Sequence, residues 1–224
     1  MKNKTLVIFD LDGTLIDSVP DISVALNHTL KELKRKTYTE EQVRLWVGEG
    51  AFVLIKRALL GQKEIDNKLL DEALAKKEFE IFLEFYLKNP CTFTKLYPSV
   101  LETLKTLQRR GYRLAIASNK PVAFIEPILQ ALQIDEFFEY HLGGDSLAQK
   151  KPDPLPLVHL LKELAVEVEA SVMVGDSRND ILVANAVNME SVAVSYGYAQ
   201  GENLEEYQPS VMIDSFEELL LFLP

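Results

Sequence analysis

One stretch near the start of the chain decides the fold: Leu6-Val7-Ile8-Phe9-Asp10-Leu11-Asp12-Gly13-Thr14. The short apolar run at residues 5–9 contains β-branched side chains, which is typical of a buried strand. Two carboxylates and a glycine turn follow it directly. In an open α/β sheet, ligands bind outside the carboxyl ends of the strands, so Asp10 and Asp12 are placed for chemistry. A solvated turn is the alternative interpretation, because aspartate and glycine are common turn residues.

The composition is that of an ordinary globular protein. The 224 residues are 47% hydrophobic and 26% charged, enough for one large domain or for a main domain with a smaller one. The 24 basic and 34 acidic residues give a net charge of −10, which argues against non-specific binding of nucleic acid. Cys91 is the single cysteine and no apolar run reaches membrane-spanning length. We therefore expect a cytoplasmic protein without nucleic-acid or membrane partners.

The pattern of apolar residues divides the chain into a helical part and an alternating part. After the first strand, helices are predicted at 17–36, from the capping box that begins at Thr39, at 51–60 and at 64–87. Strands are then predicted at 112–117, 140–142, 171–174, 191–194 and 211–213, with helices at 99–110, 121–132, 153–165, 178–187 and 215–222. Such alternation indicates an α/β fold, a Rossmann-like parallel sheet with helices on both faces. We expect a discontinuous core, residues 1–15 and 90–224, with a helical insertion at 16–89.

Two later segments carry residues suited to binding an anion. Ser118 and Asn119 stand between a predicted strand and a predicted helix, where free backbone N–H groups and the helix dipole attract anions. Their alternative role is only to cap that helix. Lys151 precedes Pro152, and Pro154 follows, so its backbone is held at the entrance of the next helix. A fixed ammonium there would neutralise charge beside a phosphate.

The last strand end adds two further carboxylates, Asp176 and Asp180. Either Asp176 or Ser177 could simply cap the following helix. With Asp10 and Asp12 at a neighbouring strand end, however, several carboxylates converge, and they repel each other unless a cation joins them. Ligand sets made of oxygen atoms suit Mg²⁺, which binds one or two carboxylates together with substrate phosphate and water.

The assembled motifs resemble those of a known superfamily. In chain order they are Asp10-x-Asp12-Gly13-Thr14, Ser118-Asn119-Lys120, Lys151-Pro152 and Gly175-Asp176-x-x-x-Asp180. In this order they resemble the four motifs of the haloacid dehalogenase-like phosphohydrolases, over nearly the whole chain, and the helical insertion resembles the C1-type cap of that superfamily. Residues 9–18, 143–147 and 196–198 are similar to the corresponding strings of bacterial phosphoglycolate phosphatases.

The resemblance implies a Mg²⁺-dependent phosphatase for a small phosphorylated metabolite, with 2-phosphoglycolate as the first candidate. Asp10 would be the nucleophile that forms an aspartyl-phosphate, and Asp12 the general acid and then base. A dehalogenase has no alkoxide to protonate and typically lacks the second aspartate, so Asp12 favours ester hydrolysis. Ser118 and Lys151 are further implied catalytic residues. The implied metal ligands are Asp10, the backbone carbonyl of Asp12, Asp176 and Asp180, and the implied phosphate-binding residues are Asp10, Gly13, Thr14, Ser118, Asn119 and Lys151.

Substrate choice is expected to come from the cap. The segment Val47-Gly48-Glu49-Gly50-Ala51 resembles a Val-Gly-x-Gly segment of phosphoglycolate phosphatase caps, and we take Gly48, Glu49, Gly50 and Arg57 as candidate specificity residues. The two glycines permit close approach of the backbone to the site or simply punctuate helices. Glu49 would repel a substrate carboxylate unless it points away. Arg57 either binds that carboxylate or forms an ion pair within the cap, and Lys150 is expected to be a surface charge.

Other functions remain open. They are hydrolysis of a sugar phosphate, an amino-sugar phosphate or pyrophosphate, phosphotransfer of the β-phosphoglucomutase type, and a non-catalytic domain that binds phosphate ligands, because a fold does not by itself establish function. The expected assembly is a monomer or a weak homodimer. A site that admits substrate and then excludes water needs a lid, and the segments 16–19 and 89–94 are the candidate hinges.

Overall fold

The computed structural model describes residue 1, residues 3–199 and residues 202–224. In chain order the helices and strands are β1 (Leu6–Phe9), β2 (Ile16–Asp17), α1 (Val19–Glu32), α2 (Glu40–Arg44), α3 (Ala51–Leu60), α4 (Glu72–Lys88), β3 (Lys95–Leu96), α5 (Val100–Arg109), β4 (Arg113–Ala117), α6 (Val122–Ala131), β5 (Tyr140–Leu142), α7 (Leu155–Leu164), β6 (Ser171–Gly175), α8 (Arg178–Ala186), β7 (Glu190–Val194), β8 (Val211–Ile213) and α9 (Leu219–Phe222).

The described residues form a parallel sheet of six strands in the order β5-β4-β1-β6-β7-β8. Strand β1 lies in the interior of the sheet, and all four of its side chains are inaccessible to solvent. Because successive side chains of a strand point to opposite faces, Val7 and Phe9 pack with α5, α6 and α9, whereas Leu6 and Ile8 pack with α7 and α8. This arrangement confirms the predicted α/β fold with helices on both faces.

Helices α1 to α4 form an insertion, Val19–Lys88, between β2 and β3. These two short strands pair antiparallel, with Ile16 opposite Leu96 and Asp17 opposite Lys95. The sequence pattern between residues 17 and 88 predicted helices and no strand, but Asp17 belongs to β2. A strand of two residues is too short to show an alternating pattern, so nothing in the sequence indicated it. None of the helices in the described part of the chain is both long and apolar enough to cross a membrane.

The predicted helix at 64–87 begins later than expected, at Glu72. The Asp71 side chain caps it, accepting a hydrogen bond from the Leu74 N–H at 3.0 Å. Upstream, the Asp66 carboxylate accepts from the Lys68 N–H at 2.9 Å. An aspartate that bonds the backbone two residues onward stabilises a turn, which outweighs the apolar periodicity of this segment.

Asp21 ties the two ends of the insertion together. It lies in the first turn of α1, and its carboxylate accepts hydrogen bonds from the backbone N–H groups of Thr92, Phe93 and Thr94 and from the Thr94 hydroxyl, at 2.7 to 3.1 Å. The side chain is 4% exposed. The chain segment that leaves the sheet is therefore bonded directly to the segment that returns to it.

Candidate active site

Asp10 lies at the carboxyl edge of the sheet, immediately after β1. Its backbone N–H donates to the Val174 carbonyl at 2.9 Å, which extends the pairing with β6 by one residue. Its Oδ1 lies 3.1 Å from Lys151 Nζ. Burial raises the pKa of Asp10 to about 6, an effect that Lys151 opposes and that the nearby carboxylates of Asp180 and Asp12 reinforce.

Glycines make room for the carboxylates at this edge. Gly13 has φ +89°, and a Cβ there would lie 2.1 Å from Asp176 Oδ2. A Cβ at Gly175 would lie 2.2 Å from Asp180 Cγ. Side chains larger than hydrogen at these positions would displace the carboxylates, so the glycines of the motifs are required for space as well as for the turn.

Three buried carboxylates converge. Asp10, Asp176 and Asp180 each offer an oxygen within 4.8 Å of the others. The Asp176 oxygens accept hydrogen bonds from the Thr14 hydroxyl at 3.2 Å and from the Tyr198 N–H at 2.6 Å. Burial raises the pKa of Asp176 well above its usual range, and Asp10 and Asp180 act in the same direction. A set of oxygen ligands that repel one another fits a small divalent cation such as Mg²⁺.

Asp180 connects the helix that follows β6 to Lys151. Its Oδ2 accepts hydrogen bonds from the Ser177 N–H at 3.0 Å and from the Ser177 hydroxyl at 2.6 Å, as part of a capping box at the start of α8. Its Oδ1 accepts from Lys151 Nζ at 2.5 Å. Burial alone lowers the pKa of Lys151, but Asp10 and Asp180 outweigh it and raise that pKa, so the ammonium stays charged.

The Ser118 segment follows β4 and joins the site beside Lys151. Ser118 Oγ accepts from the Lys120 N–H at 3.3 Å, and Asn119 Nδ2 donates to the Lys151 carbonyl at 3.0 Å. Asn119 Oδ1 is buried without a hydrogen-bond partner among the described residues. The second and third motifs are thus held together by a direct contact, at the same edge as Asp10.

Asp12 points to a different set of partners. Its Oδ1 accepts from the Ser18 hydroxyl at 2.5 Å and from Lys120 Nζ at 3.1 Å, and its Oδ2 lies 3.2 Å from the same ammonium. Lys120 Nζ also donates to the Tyr86 hydroxyl of α4 at 2.9 Å. Burial alone lowers the pKa of Lys120, but Asp12 and Tyr86 outweigh it and raise it.

Lys120 is the site residue to which sequence reasoning gave no role of its own. The available signal was its position, directly after Ser118 and Asn119 at a strand end. Tyr86 gave no comparable signal, because an aromatic residue at helical spacing in α4 is typical of packing. Lys120 is 34 positions from Tyr86 and 108 positions from Asp12 in the chain, so no local pattern links these contacts.

The candidate specificity residues of the insertion fall into two groups. Gly48 and Gly50 line the pocket that Asp10 and Asp12 also line, whereas Glu49 and Arg57 line a neighbouring cavity whose wall includes Gly48, Asp176 and Arg178. Arg57 is 6% exposed, and it donates to the carbonyls of Lys63 and Trp46 at 2.8 Å and to Glu49 Oε1 at 2.6 Å. Two roles were predicted for Arg57, and the structure shows the second of them, an ion pair within the insertion.

Glu49 contacts cations and does not line the pocket of Asp10 and Asp12. Its carboxylate also lies 3.3 Å from the Arg178 guanidinium of α8. Burial acts to raise the pKa of Glu49, but Arg57 and Arg178 outweigh it and lower it. The prediction that Lys150 is a surface charge was wrong, because its half-buried ammonium donates to the Glu49 carbonyl at 2.6 Å and joins the insertion to the core.

Comparisons with known proteins agree with this geometry. A family model described as haloacid dehalogenase-like hydrolase matches residues 7–194. A protein of Colwellia psychrerythraea 34H named phosphoglycolate phosphatase is 49% identical over 223 residues, which cover 100% of this chain and 98% of that relative. A protein of the same name from Pseudomonas syringae pv. tomato is 45% identical over 215 residues, 96% of this chain and 78% of the relative.

Solved structures give the same result. The crystal structure of a predicted phosphoglycolate phosphatase from Haemophilus somnus 129PT matches with a TM-score of 0.90 and 35% identity, and the match covers 100% of both chains. The family model spans most of this chain, and the curated relatives exceed 40% identity over nearly all of it. With its four motifs gathered at one edge of the sheet, the chain belongs to the haloacid dehalogenase-like hydrolases.

Proposed function

We propose that this phosphatase hydrolyses 2-phosphoglycolate to glycolate and phosphate, with Mg²⁺ as cofactor and an aspartyl-phosphate on Asp10 as intermediate. One observation carries the proposal: Asp10 and Asp12 lie at the same strand end, and each carboxylate contacts a lysine of its own, Lys151 and Lys120. The similarity to relatives named for this activity supports the choice of substrate.

The first step uses both aspartates. A carboxylate oxygen of Asp10 attacks phosphorus, and the bond between phosphorus and the ester oxygen breaks. Asp12 donates its proton to the leaving oxygen, which departs as the hydroxyl of glycolate. Ser18 and Lys120 fix the orientation of the Asp12 carboxylate through the contacts described above.

The second step restores the enzyme. Asp12 takes a proton from water, the water oxygen attacks phosphorus, and the bond to Asp10 breaks to release phosphate. Lys151, held between Asp10 and Asp180, supplies positive charge beside the phosphoryl group in both steps. Ser118, Asn119, Gly13 and Thr14 are the further residues proposed to hold the phosphoryl oxygens.

The metal ligands proposed are Asp10, Asp176 and the backbone carbonyl of Asp12, with Asp180 beside them. Bound Mg²⁺ would offset the repulsion within the carboxylate cluster and the negative charge of the phosphoryl group. The bonds from Asp180 to Lys151 and Ser177 support a positioning role for it next to the metal.

We also propose a division into a core, residues 1–15 and 90–224, and a cap, residues 16–89, that closes over the site. The two-stranded pair and the Asp21 contacts at the boundary support it. We propose a cytoplasmic enzyme that acts on a small phosphorylated metabolite as a monomer or weak homodimer. The net charge of −10 supports the absence of a nucleic-acid partner.

The test is phosphate release with Mg²⁺ from 2-phosphoglycolate, pyrophosphate, hexose phosphates, amino-sugar phosphates and nucleotides, with Asp10→Asn as the inactive control. We expect 2-phosphoglycolate to lead by about a hundredfold in kcat/KM, roughly 3 kcal/mol of transition-state discrimination. A different leading ester would overturn the substrate. Isomerisation of a hexose phosphate without phosphate release would indicate a phosphotransferase instead.

A further inference from the structure

The proposed substrate carries a second anion, the carboxylate of its glycolate part, which the pocket must accommodate. A carboxylate that leaves water without a charged or hydrogen-bonding partner is strongly disfavoured. On the side of the insertion, the pocket wall is largely apolar and includes Val47, Ala51, Leu54 and Phe82. The guanidinium of Arg57 is bonded within the insertion, so it does not supply the partner.

Among the described residues that line this pocket, Lys120 is the only basic one. Its ammonium is held by Asp12 and by the Tyr86 hydroxyl and lies 4.9 Å from the centre of the Tyr86 ring. In the contact with Lys120 the Tyr86 oxygen is the acceptor, and its own proton goes to no other atom of the described residues. A positive charge and a hydroxyl donor thus stand side by side on the pocket wall.

We propose that Lys120 and Tyr86 form a subsite for a carboxylate on the leaving group of the substrate, an inference that rests on the proposed function. Asp12 must reach the ester oxygen to protonate it. In 2-phosphoglycolate the carboxylate is one methylene group away from that oxygen. Because Lys120 Nζ lies 3.1 Å from Asp12 Oδ1, a carboxylate at that position is within reach of the ammonium.

The subsite joins the two parts of the molecule. Lys120 precedes α6 in the core, whereas Tyr86 belongs to α4 of the insertion. Both side chains are buried, at 4% and 2% exposure. A carboxylate bound between them would bridge insertion and core, so the class of substrate selected is a small phosphate ester whose alcohol carries an acid group next to the ester carbon.

The experiment compares 2-phosphoglycolate with ethyl phosphate, which has a methyl group in place of the carboxylate. For Lys120→Met we expect kcat/KM for 2-phosphoglycolate to fall about a hundredfold further than kcat/KM for ethyl phosphate. For Tyr86→Phe, which keeps the ring and its packing, we expect a selective fall of about tenfold. Lys105→Met removes an exposed lysine of α5 that pairs with Glu102, and it should leave both substrates unchanged.

Failure of the subsite and failure of the proposed function give different results. Equal losses for both esters in Lys120→Met would reduce Lys120 to a residue that only orients Asp12. If Tyr86→Phe leaves the ratio of kcat/KM for 2-phosphoglycolate to kcat/KM for ethyl phosphate unchanged and melts close to the wild-type temperature, the Tyr86 hydroxyl is not part of the subsite. A wild type that does not prefer 2-phosphoglycolate over ethyl phosphate would reject the proposed function itself, whereas a preference that survives in both variants rejects only the subsite.

Discussion

Asp10 and Asp12 are two residues apart and have different neighbours. Asp10 lies with Lys151 and the carboxylates of Asp176 and Asp180, whereas Asp12 lies with Lys120 and Ser18. Residues i and i+2 of a strand share one face, but β1 ends at Phe9 and the chain turns at Gly13, so the two side chains point to different partners. One aspartate can therefore serve the metal and phosphate while the other serves the leaving group. The Asp-x-Asp spacing thus separates the two proposed roles within a few residues of chain.

Protonation of the carboxylate cluster should make the effect of Mg²⁺ depend on pH. The pKa of Asp10, about 6, is above its ordinary value of 3.8, so its contribution to stability is complete below that ordinary value and is lost as the pH rises through about 6. The raised pKa of Asp176 acts in the same direction. Mg²⁺ competes with protons for these oxygens, so we expect it to raise Tm more at about pH 7.5 than at about pH 5.

Calorimetric melting with and without Mg²⁺ at the two pH values measures this effect. Asp176→Asn is the informative variant and should lose most of the Mg²⁺-dependent rise. An equal rise at both pH values in the wild type would show that these carboxylates do not bind the ion.

Gly13 and Gly111 offer a matched pair of substitutions to alanine. Both have positive φ, +89° and +84°, but a Cβ at Gly13 meets Asp176 and one at Gly111 meets nothing within 4 Å. Each variant should lose about 1–2 kcal/mol of unfolding free energy from backbone strain. Only Gly13→Ala should also lose Mg²⁺-dependent turnover, because it displaces a proposed metal ligand. Urea unfolding and phosphate release distinguish the two, and equal activity in both variants would contradict the steric role of Gly13.

At this scale Asp10, Ser118 and Asp176 could be predicted as site residues because each directly follows a strand, whereas Lys151 lies well after β5 and was predicted from the prolines beside it. It could not identify the pairing of Asp12 with Lys120, since those residues are 108 positions apart and nothing local links them. The orientation of Glu49 was equally hidden, because it depends on Arg178 in a helix of the core.

Among the contacts that join one element to another, those of Asp21 are expected to contribute most clearly to the free energy of unfolding. Its buried carboxylate accepts from three consecutive backbone N–H groups of the returning segment. Asp21→Asn would replace a charged acceptor by an amide with one acceptor oxygen and two donor hydrogens facing those N–H groups. We expect a loss of about 2 kcal/mol in the free energy of urea unfolding.

Asp66→Asn is the control for that variant. Asp66 is exposed and its carboxylate accepts from the Lys68 N–H alone among the described residues, so the change should stay within about 0.5 kcal/mol. Equal effects of the two substitutions would mean that the Asp21 contacts add nothing to stability.

The six strands of the main sheet were predicted to within one residue at each end. Most of them contain a short apolar run bounded by polar or turn residues, which is a local signal. Strands β2 and β3 were missed because two residues carry no periodicity. The predicted helix at 215–222 is instead a short 3₁₀ turn at Phe216–Glu218 followed by α9, and the Ser215 and Glu218 capping box accounts for the start of that turn.

At the scale of the whole molecule, the loop at residues 48–50 is fastened to the core. Lys150 Nζ donates to the Glu49 carbonyl at 2.6 Å, and Asn179 Nδ2 donates to the Gly48 carbonyl at 3.3 Å. The Glu49 and Arg178 pair adds a partly exposed ionic contact, worth about 0–1 kcal/mol. These contacts hold the loop of the insertion against the core, and they would favour closure of the proposed cap.

Removing two of them should weaken closure. For the double variant Lys150→Met, Arg178→Gln we expect KM to rise about tenfold with kcat changed less, because apparent affinity falls with the fraction of closed molecules. Steady-state kinetics with 2-phosphoglycolate measures this. Lys56→Met breaks an ion pair within the insertion and is the matched control. A fall in kcat at constant KM would show that these contacts act on the chemical step instead.

The pairing of Ile16 with Leu96 has a consequence for how such enzymes diversify. The helical insertion starts and finishes at one point of the core, so its removal or replacement leaves the path of every sheet strand unaltered. The residues proposed for hydrolysis lie in the two segments of the core, whereas the proposed subsite for the leaving group takes Lys120 from the core and Tyr86 from the insertion. Exchange of one uninterrupted segment would therefore change the insertion half of that subsite and keep the strand ends proposed to perform hydrolysis.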